Sequence, residues 1–344
     1  MNGTSDRASV RSLRCSHLLT IVLCCLSAVA AADPAAWEVP DGPRHVIVEG
    51  DRAFALKSAM RLRAIEATGR WILGWPDDFH PPTALVFELK AATVRQLMSQ
   101  NPGAGAENVD PYTPIGVAAA LPGLSLIIAP LGSERGVEFA PLQSLYGSLL
   151  PGIDQRLAGW PVCVQRGVEE LLIAASYENS DRLLIDGRRI AAGEVLNPEM
   201  SLGPKLVREY RVLAPANFLD PAAATPVGQA DKNERGLACF ILTHWYVTAD
   251  PDRRRAFEQL FTSLGAGRPL SDSVPITLGD SPAAFTTNYQ RYASHWRNQP
   301  RSFDIRRVVL LPSGPLPDPV PIAAERLAAL LRQTCLKLSR CRVP

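Results

Sequence analysis

An alternation of apolar strand patterns and helical patterns in the first third of the chain constrains the fold most. Strand patterns lie at residues 44–49, 83–89 and 124–129, and the last is apolar enough for the interior of a sheet. Helical patterns separate them at residues 51–73 and 93–99. The order strand, helix, strand, helix, strand predicts an α/β opening built around a sheet.

The rest of the chain predicts a mostly helical half. Six helical patterns follow, at residues 139–150, 161–177, 233–247, 252–264, 282–296 and 322–338. Asp186-Gly187 predicts the turn of a hairpin within residues 182–190. Residues 33–43 predict a loose lead-in, residues 214–230 a linker, and the Pro-rich residues 311–321 a break between helices.

The first 32 residues have the order of a cleavable signal peptide. A positive segment with three arginines precedes an apolar run at residues 18–26, and small residues in A-x-A spacing follow at residues 28–32. The apolar run is shorter than the roughly 20 residues that span a bilayer, so no transmembrane anchor is expected after cleavage. We expect cleavage after Ala32, with Ala30 as the next choice, and a periplasmic or secreted mature protein.

The charge balance of the mature chain is neutral. Residues 1–32 take three arginines and one aspartate from totals of 36 basic and 34 acidic residues, which leaves 33 of each. A nucleic-acid-binding protein needs a basic face to meet the phosphates, so neutrality argues against that class and against attachment to anionic lipid.

Four cysteines follow the signal peptide, namely Cys163, Cys239, Cys335 and Cys341. An even number in an exported chain favours disulfides. One of the three possible pairings closes the C-terminus through Cys335 and Cys341 and leaves Cys163 with Cys239. The alternative for Cys163 and Cys239 is a pair of buried, small apolar side chains. No C-x-x-C spacing occurs, so neither a thiol redox centre nor a zinc ribbon is predicted.

Histidines are too sparse for a helical metal site. The mature chain contains four, with no two of them four residues apart: His45, His80, His244 and His295. His244 lies in an apolar helical pattern and is expected in a packed core or interface. Glu169 and Glu170 are adjacent, and neighbours on a helix point about 100° apart, so they do not form an acid/base couple. The sequence predicts no cofactor.

The segment WPVCVQRGVEELL at residues 160–172 resembles an element of the gluzincin zinc peptidases of the peptidase-MA-like kind. In that family the element reads P-x-W-h-x-E-G-h-A-E-Y, where h is apolar and the first Glu binds zinc. An H-E-Y-x-H helix about twenty residues earlier supplies two more ligands and the general base. The matching stretch here is SLYGS at residues 144–148. Residues 234–245 are similar to the family's next helix, and the resemblance extends over residues 40–295.

The resemblance implies an α+β, zincin-like fold, with a small N-terminal mixed sheet and helices followed by a mostly helical C-terminal half. It implies four parts along the chain. These are the signal peptide at residues 1–32, the peptidase-MA-like α/β part with degenerate active-site helices at 33–213, the helical part of the same domain at 214–300, and a Pro-rich linker with a C-terminal helix at 301–344.

The departures from the family pattern remove the zinc chemistry. The two ligand histidines correspond to Ser144 and Ser148, the general base to Leu145, and the third ligand to Arg166. Catalytic zinc needs three protein ligands and a water, whereas arginine keeps its positive charge in proteins. The resemblance therefore implies a framework without its metal and without zinc peptidase activity.

Two functions remain at this point. The first is an exported pseudopeptidase, a protein- or peptide-binding or structural module, whose cleft candidates are Tyr146, Arg166, Glu170 and His244. Its peptide edge would be the strand pattern at residues 135–139. The alternative is a hydrolase with rebuilt machinery, in which Ser144 or Ser148 is the nucleophile. Both predict that Ser144, Ser148 and Arg166 converge, with Arg166 paired to a carboxylate.

Overall fold

The structure is a computed structural model. It describes residues 36–76, 78–99, 116–131, 141–179, 182–185, 212–220, 229–296, 302–304 and 314–340. These residues form two compact units. The first draws on the ranges Met1–Met60, Pro82–Leu131 and Pro315–Pro344, and the second on Arg61–Pro81 and Gly132–Gly314. None of the helices in the described part is both long and apolar enough to cross a membrane.

The elements follow the chain in this order: β1 (Ala36–Asp41), β2 (Arg44–Glu49), α1 (Arg52–Leu73), β3 (Thr83–Leu89), α2 (Ala91–Ser99), β4 (Val117–Leu121), β5 (Leu124–Pro130), α3 (Pro141–Ile153), α4 (Gln155–Ala158), α5 (Val162–Ala174), β6 (Ala175–Asn179), β7 (Arg182–Ile185), α6 (Ala216–Leu219), α7 (Gln229–Thr248), α8 (Pro251–Gly265), α9 (Leu270–Leu278), α10 (Pro282–His295), β8 (Ser302–Asp304), β9 (Val320–Ile322) and α11 (Ala324–Arg340).

A mixed sheet of six strands organises the first unit. Its strand order is β4-β5-β3-β2-β1-β9. The three central strands β2, β3 and β5 run parallel, and β1, β4 and β9 are antiparallel to their neighbours. The parallel strands are the three that the sequence predicts, joined through α1 and α2. The predicted α+β class, with a mixed sheet and a mostly helical remainder, is confirmed.

One face of this sheet is covered by α11. Alternate residues of β3, Leu85, Phe87 and Leu89, point to the same side of the strand. They belong to a core cluster that α11 joins through Leu327 and Leu331, four residues apart on one face of the helix. The C-terminal helix therefore completes the core of the N-terminal sheet instead of following a linker as a separate appendage.

Three strands of the sheet were not predicted from the sequence. β1 replaces the expected lead-in at residues 33–43, β4 precedes the predicted third strand, and β9 lies in the Pro-rich break. Pro321, which cannot donate a ladder hydrogen bond, is tolerated because β9 is an edge strand paired only with β1. The division of the chain at residue 301 is therefore corrected, since the residues of β9 and α11 belong to the first unit.

The second unit also departs from the predicted elements. The helix expected at 161–177 ends at Ala174 and continues directly into β6. β7 pairs with β6 and β8, while residues 186–190 of the predicted Asp-Gly hairpin lie outside the described part. Between the helices predicted at 252–264 and 282–296 lies the further helix α9, which buries Leu270 and Val274, four residues apart, despite Pro275 in its interior.

Two arginines satisfy the C-terminal end of α1 within the second unit. Arg254 Nη2 donates to the carbonyl oxygens of Trp71 and Ile72. Arg156 Nη2 donates to the carbonyl oxygen of Leu73 at 3.0 Å. The last carbonyls of a helix have no partner within the helix, and the negative end of its dipole favours cations. These arginines hold the end of α1 against α8 and α4.

Replacing Arg254 with methionine is expected to lower the free energy of unfolding by about 2 kcal/mol, because two buried carbonyl groups lose a charged donor. The guanidinium also lies 4.8 Å from the ring centre of Tyr246, a contact that methionine does not reproduce electrostatically. Urea denaturation measures the change. The matched control is Arg255→Met, whose exposed side chain pairs only with Asp252 among the described residues. Equal losses for both variants would contradict the role of the cap.

Candidate functional site

The two helices that carry the motifs compared with the zinc peptidases in the sequence analysis, α3 and α5, lie side by side. Their closest approach is at Gly147, where a Cβ atom would lie 2.9 Å from Cγ and 3.3 Å from Cα of Glu169. Such distances leave no room for a side chain at position 147 without a shift of the glutamate. The glycine of the SLYGS stretch is therefore required by packing, and it places residues 144–148 beside the helix of residues 166–170.

On its other side α5 packs against α7 even more closely. A Cβ atom on Gly167 would lie 2.1 Å from Oγ1 of Thr243 and 2.6 Å from the carbonyl oxygen of Cys239. The Thr243 hydroxyl donates back to that same carbonyl at 2.9 Å, so it is satisfied within its own helix. One turn before the contact, a disulfide joins Cys163 to Cys239, with the two Cα atoms 5.2 Å apart. Helix α5 is thus clamped between α3 and α7.

Substitution of Gly167 with alanine is expected to cost about 3 kcal/mol of stability, because the added methyl group meets the main chain of α7 and the helices must separate. The effect is measured as the shift in the urea midpoint. Gly314→Ala is the control, since a Cβ atom there meets nothing within 4 Å. A Gly167→Ala variant as stable as the control would show that α5 and α7 are not closely packed in solution.

The side chains of three of the four degenerate positions, Leu145, Ser148 and Arg166, are described. Ser148 is exposed, and its hydroxyl donates to the carbonyl oxygen of Leu145 at 2.8 Å, an ordinary bond of a helical serine to its own backbone. Leu145 is half-buried and Arg166 is exposed. Ser144 lies on α3, but its side chain is outside the described part. The structure therefore places the four positions on adjacent helices, and the expected ion pair of Arg166 with a carboxylate is absent among the described residues.

Glu170 is the unusual group of this site. Only 3% of the residue is exposed, and its Oε2 atom has no hydrogen-bond partner among the described residues. Burial, the largest cause, and the nearby charge of Glu169 together raise the pKa of this carboxyl to about 8, against the opposing charge of Arg166. The carboxyl group consequently carries a proton at neutral pH.

Tyr146 and His244, the other two cleft candidates, are core residues. Tyr146 is 1% exposed and His244 is 2% exposed. The His244 Nδ1 atom lies 2.6 Å from the Tyr292 hydroxyl, which is also 2.9 Å from the hydroxyl of Thr248. Burial raises the pKa of Tyr292 above its usual value, against the opposing effect of the Thr248 bond. His244 thus belongs to a packed aromatic cluster of the helical unit, the environment expected from its apolar helix.

A pattern along one face of α5 could have predicted that Glu170 is buried. Cys163, Gly167 and Glu170 stand at positions i, i+4 and i+7, so they share one face of α5. A cysteine and a glycine on that face point to a buried helix contact, and Glu170 falls inside it.

No group of three His, Cys, Asp or Glu side chains within the described ranges could hold a metal ion. In comparisons with known proteins, the chain matches no protein-family model, no curated protein and no solved structure.

Proposed function

We propose that this chain is an exported, non-catalytic protein on a gluzincin-like framework that binds a protein or a peptide. The contact of α3 with α5 at Gly147 is the observation that carries the proposal. It brings together the two helices that hold the zinc ligands in the family, while the ligand positions carry hydroxyl and guanidinium groups and the general-base position carries an aliphatic one. The framework of a peptidase site is retained without the groups that bind and activate a metal-bound water.

Each replaced group argues against hydrolysis by the family's mechanism. The Ser148 hydroxyl donates to its own helix, Leu145 cannot accept a proton from water, and Arg166 adds a fixed positive charge. The alternative of a serine hydrolase needs a base within hydrogen-bond distance of the nucleophile. His244 Nδ1 is engaged instead with the hydroxyl of Tyr292 in the aromatic cluster. The geometry of Ser148 therefore does not favour the alternative.

The first unit offers a peptide-binding element of its own. β4 is an edge strand, paired with β5 on one side and with no strand on the other among the described residues. Its sequence, VAAAL, contains no charge and no proline, the two features that commonly protect an edge from further pairing. An extended peptide can add to such an edge through main-chain hydrogen bonds. The edge expected at residues 135–139 lies outside the described part.

Metal content and activity test the non-catalytic part of the proposal. The protein purified from an exporting host and dialysed against zinc is expected to retain less than about 0.1 zinc per chain, because three protein ligands are lacking. No peptidase or esterase turnover is expected. The variant Ser148→Ala should match the wild type in both measurements. Stoichiometric zinc, or turnover that Ser148→Ala abolishes, would overturn the proposal.

Peptide display on the immobilised protein tests the binding part. Extended, apolar peptides are expected among those selected, and their binding should protect the amides of β4 from hydrogen exchange. Ala120→Lys, a change at an exposed position of β4, should weaken binding by about tenfold, since edge lysines disfavour strand addition. The control variant is Ile276→Lys at an exposed position of α9, and it should leave binding unchanged. If the selected peptides protect the amides of other residues and bind the Ala120→Lys variant as tightly as the wild type, β4 is excluded as the binding site.

A further inference from the structure

The C-terminal half of α5 holds a buried acid in an otherwise tight helix contact. Glu170 follows Cys163 and Gly167 on the face of α5 that meets α7, and its neighbour Glu169 packs on Gly147 of α3. One oxygen of Glu170 has no hydrogen-bond partner among the described residues. A buried polar atom without a partner is rare in proteins and calls for an explanation.

Among the described residues, no cation of the helices packed against Glu170 acts on its charge. α3 contains no Asp, Glu, Lys, Arg or His, and its one ionisable side chain is the buried Tyr146. The charged residues of α7 all precede Cys239, whereas Glu170 follows the contact of Gly167 with Thr243. The other ionisable groups of α7, a histidine and a tyrosine, bond to Tyr292 and Glu258.

Within the part of the chain that the structure describes, the charges that act on Glu170 come from its own helix. Glu169 has the same sign, and Arg166, one turn earlier, is exposed to solvent. A charge on Glu170 would therefore be placed in a dry contact beside a like charge, with a single screened cation to offset it. The closed contact of α5 with α7 requires the protonated acid.

The two ends of α5 are held unequally. Its first turn is fixed to α7 by the disulfide of Cys163 with Cys239. Its last residue, Ala174, continues without a loop into β6, which pairs with β7. Electrostatic repulsion at Glu170 would thus act on the end of α5 that the disulfide does not hold. Any displacement of that end also moves β6, which follows it directly.

We propose that Glu170 controls a pH-sensitive hinge in α5, in which loss of its proton to solvent releases the C-terminal half of the helix from α7 and displaces β6, which continues that helix. The disulfide retains the N-terminal half in both states. The pKa of about 8 places the transition in the mildly alkaline range. The proposal concerns the conformation of the helical unit and does not require that the protein bind a peptide.

Hydrogen exchange of the whole protein tests the hinge. Between about pH 6.5 and about pH 9.5, after correction for intrinsic rates, protection in residues 168–179 should fall at least about tenfold more than in residues 162–166. Glu170→Gln should abolish the difference, because its side chain does not ionise. Glu169→Gln, which removes only the neighbouring charge, should keep the transition at a lower pH. Equal protection at both pH values, or the same loss in Glu170→Gln, would overturn the hinge.

The carboxyl carbon resonance of Glu170 gives a second test on the wild-type protein, which holds even if a variant does not fold. Its NMR titration should have a midpoint near 8, far from the value of 4.5 for an ordinary glutamate. A midpoint near the ordinary value would show that Glu170 is charged in the closed state and would overturn the proposal. Loss of protection throughout the protein at alkaline pH would also do so, since a hinge opens locally.

Discussion

Replacement of both Cys163 and Cys239 with alanine is expected to lower the free energy of unfolding by about 4 kcal/mol, the largest effect of any cysteine change in this chain. The two residues are 76 positions apart, so their disulfide closes a long loop in the unfolded chain. In the folded state it lies one turn from the contact of Gly167 with α7. Loss of the disulfide increases the conformational entropy of the unfolded chain. It also loosens the nearby packing of Gly167 against α7.

Urea denaturation of the double variant and the wild type, without reductant, measures this effect. A reducing agent should destabilise the wild type by a similar amount and leave the double variant unchanged. A double variant less than about 1 kcal/mol below the wild type would mean that the bond is not formed or does not constrain the unfolded chain.

This disulfide also bears on where the protein works. Such bonds persist in oxidising compartments and are rare in the cytosol. A bond that clamps α5 to α7 is consistent with the signal-peptide pattern of residues 1–32, which lie outside the described part. Export remains a prediction. It is tested by cell fractionation, which shows the compartment of the host that contains the disulfide-bonded form. Of the other cysteines, Cys341 and the side chain of Cys335 are outside the described part, so their pairing also stays a prediction.

The central strands could be predicted because their own residues specify them. β3 and β5 are runs of apolar residues between turns, and a buried parallel strand needs little more. β1, β4 and β9 contain prolines or alanines, which have weak strand preference. Pairing with a neighbouring strand makes them strands, and such long-range pairing is invisible in a local window.

The candidate site was only partly predictable for a related reason. The order of motifs predicted that residues 144–148 and 166–170 lie on neighbouring helices, as they do. Burial of Glu170 was not predicted, because glutamates are almost always solvated, and the stripe that it shares with Cys163 and Gly167 on one face of α5 is its one sign in the sequence. In the sequence, Gly147 and Gly167 only match positions of the family motifs. The structure shows that each glycine makes room for the neighbouring helix.

The stability of the protein is expected to fall with rising pH between about 4.5 and 8 because of Glu170. Its pKa is raised from 4.5 in the unfolded chain to about 8 in the fold, so the folded state holds a proton that the unfolded state has lost. Stability from this group is therefore complete below the lower value and is lost as pH rises through the upper one. The slope is about 1.4 kcal/mol per pH unit, and the total is on the order of 5 kcal/mol.

Denaturation curves across this pH range, for the wild type and Glu170→Gln, separate this contribution from all others. The variant should lose the slope, so that at alkaline pH it is more stable than the wild type by about 5 kcal/mol, less the cost of its buried amide. Glu169→Gln, at a half-buried position, should retain most of the slope. Parallel profiles for the wild type and Glu170→Gln would show that Glu170 is not buried in solution. Opening of the hinge returns the carboxylate to water, so the wild-type profile should level off where hydrogen exchange detects the release of α5.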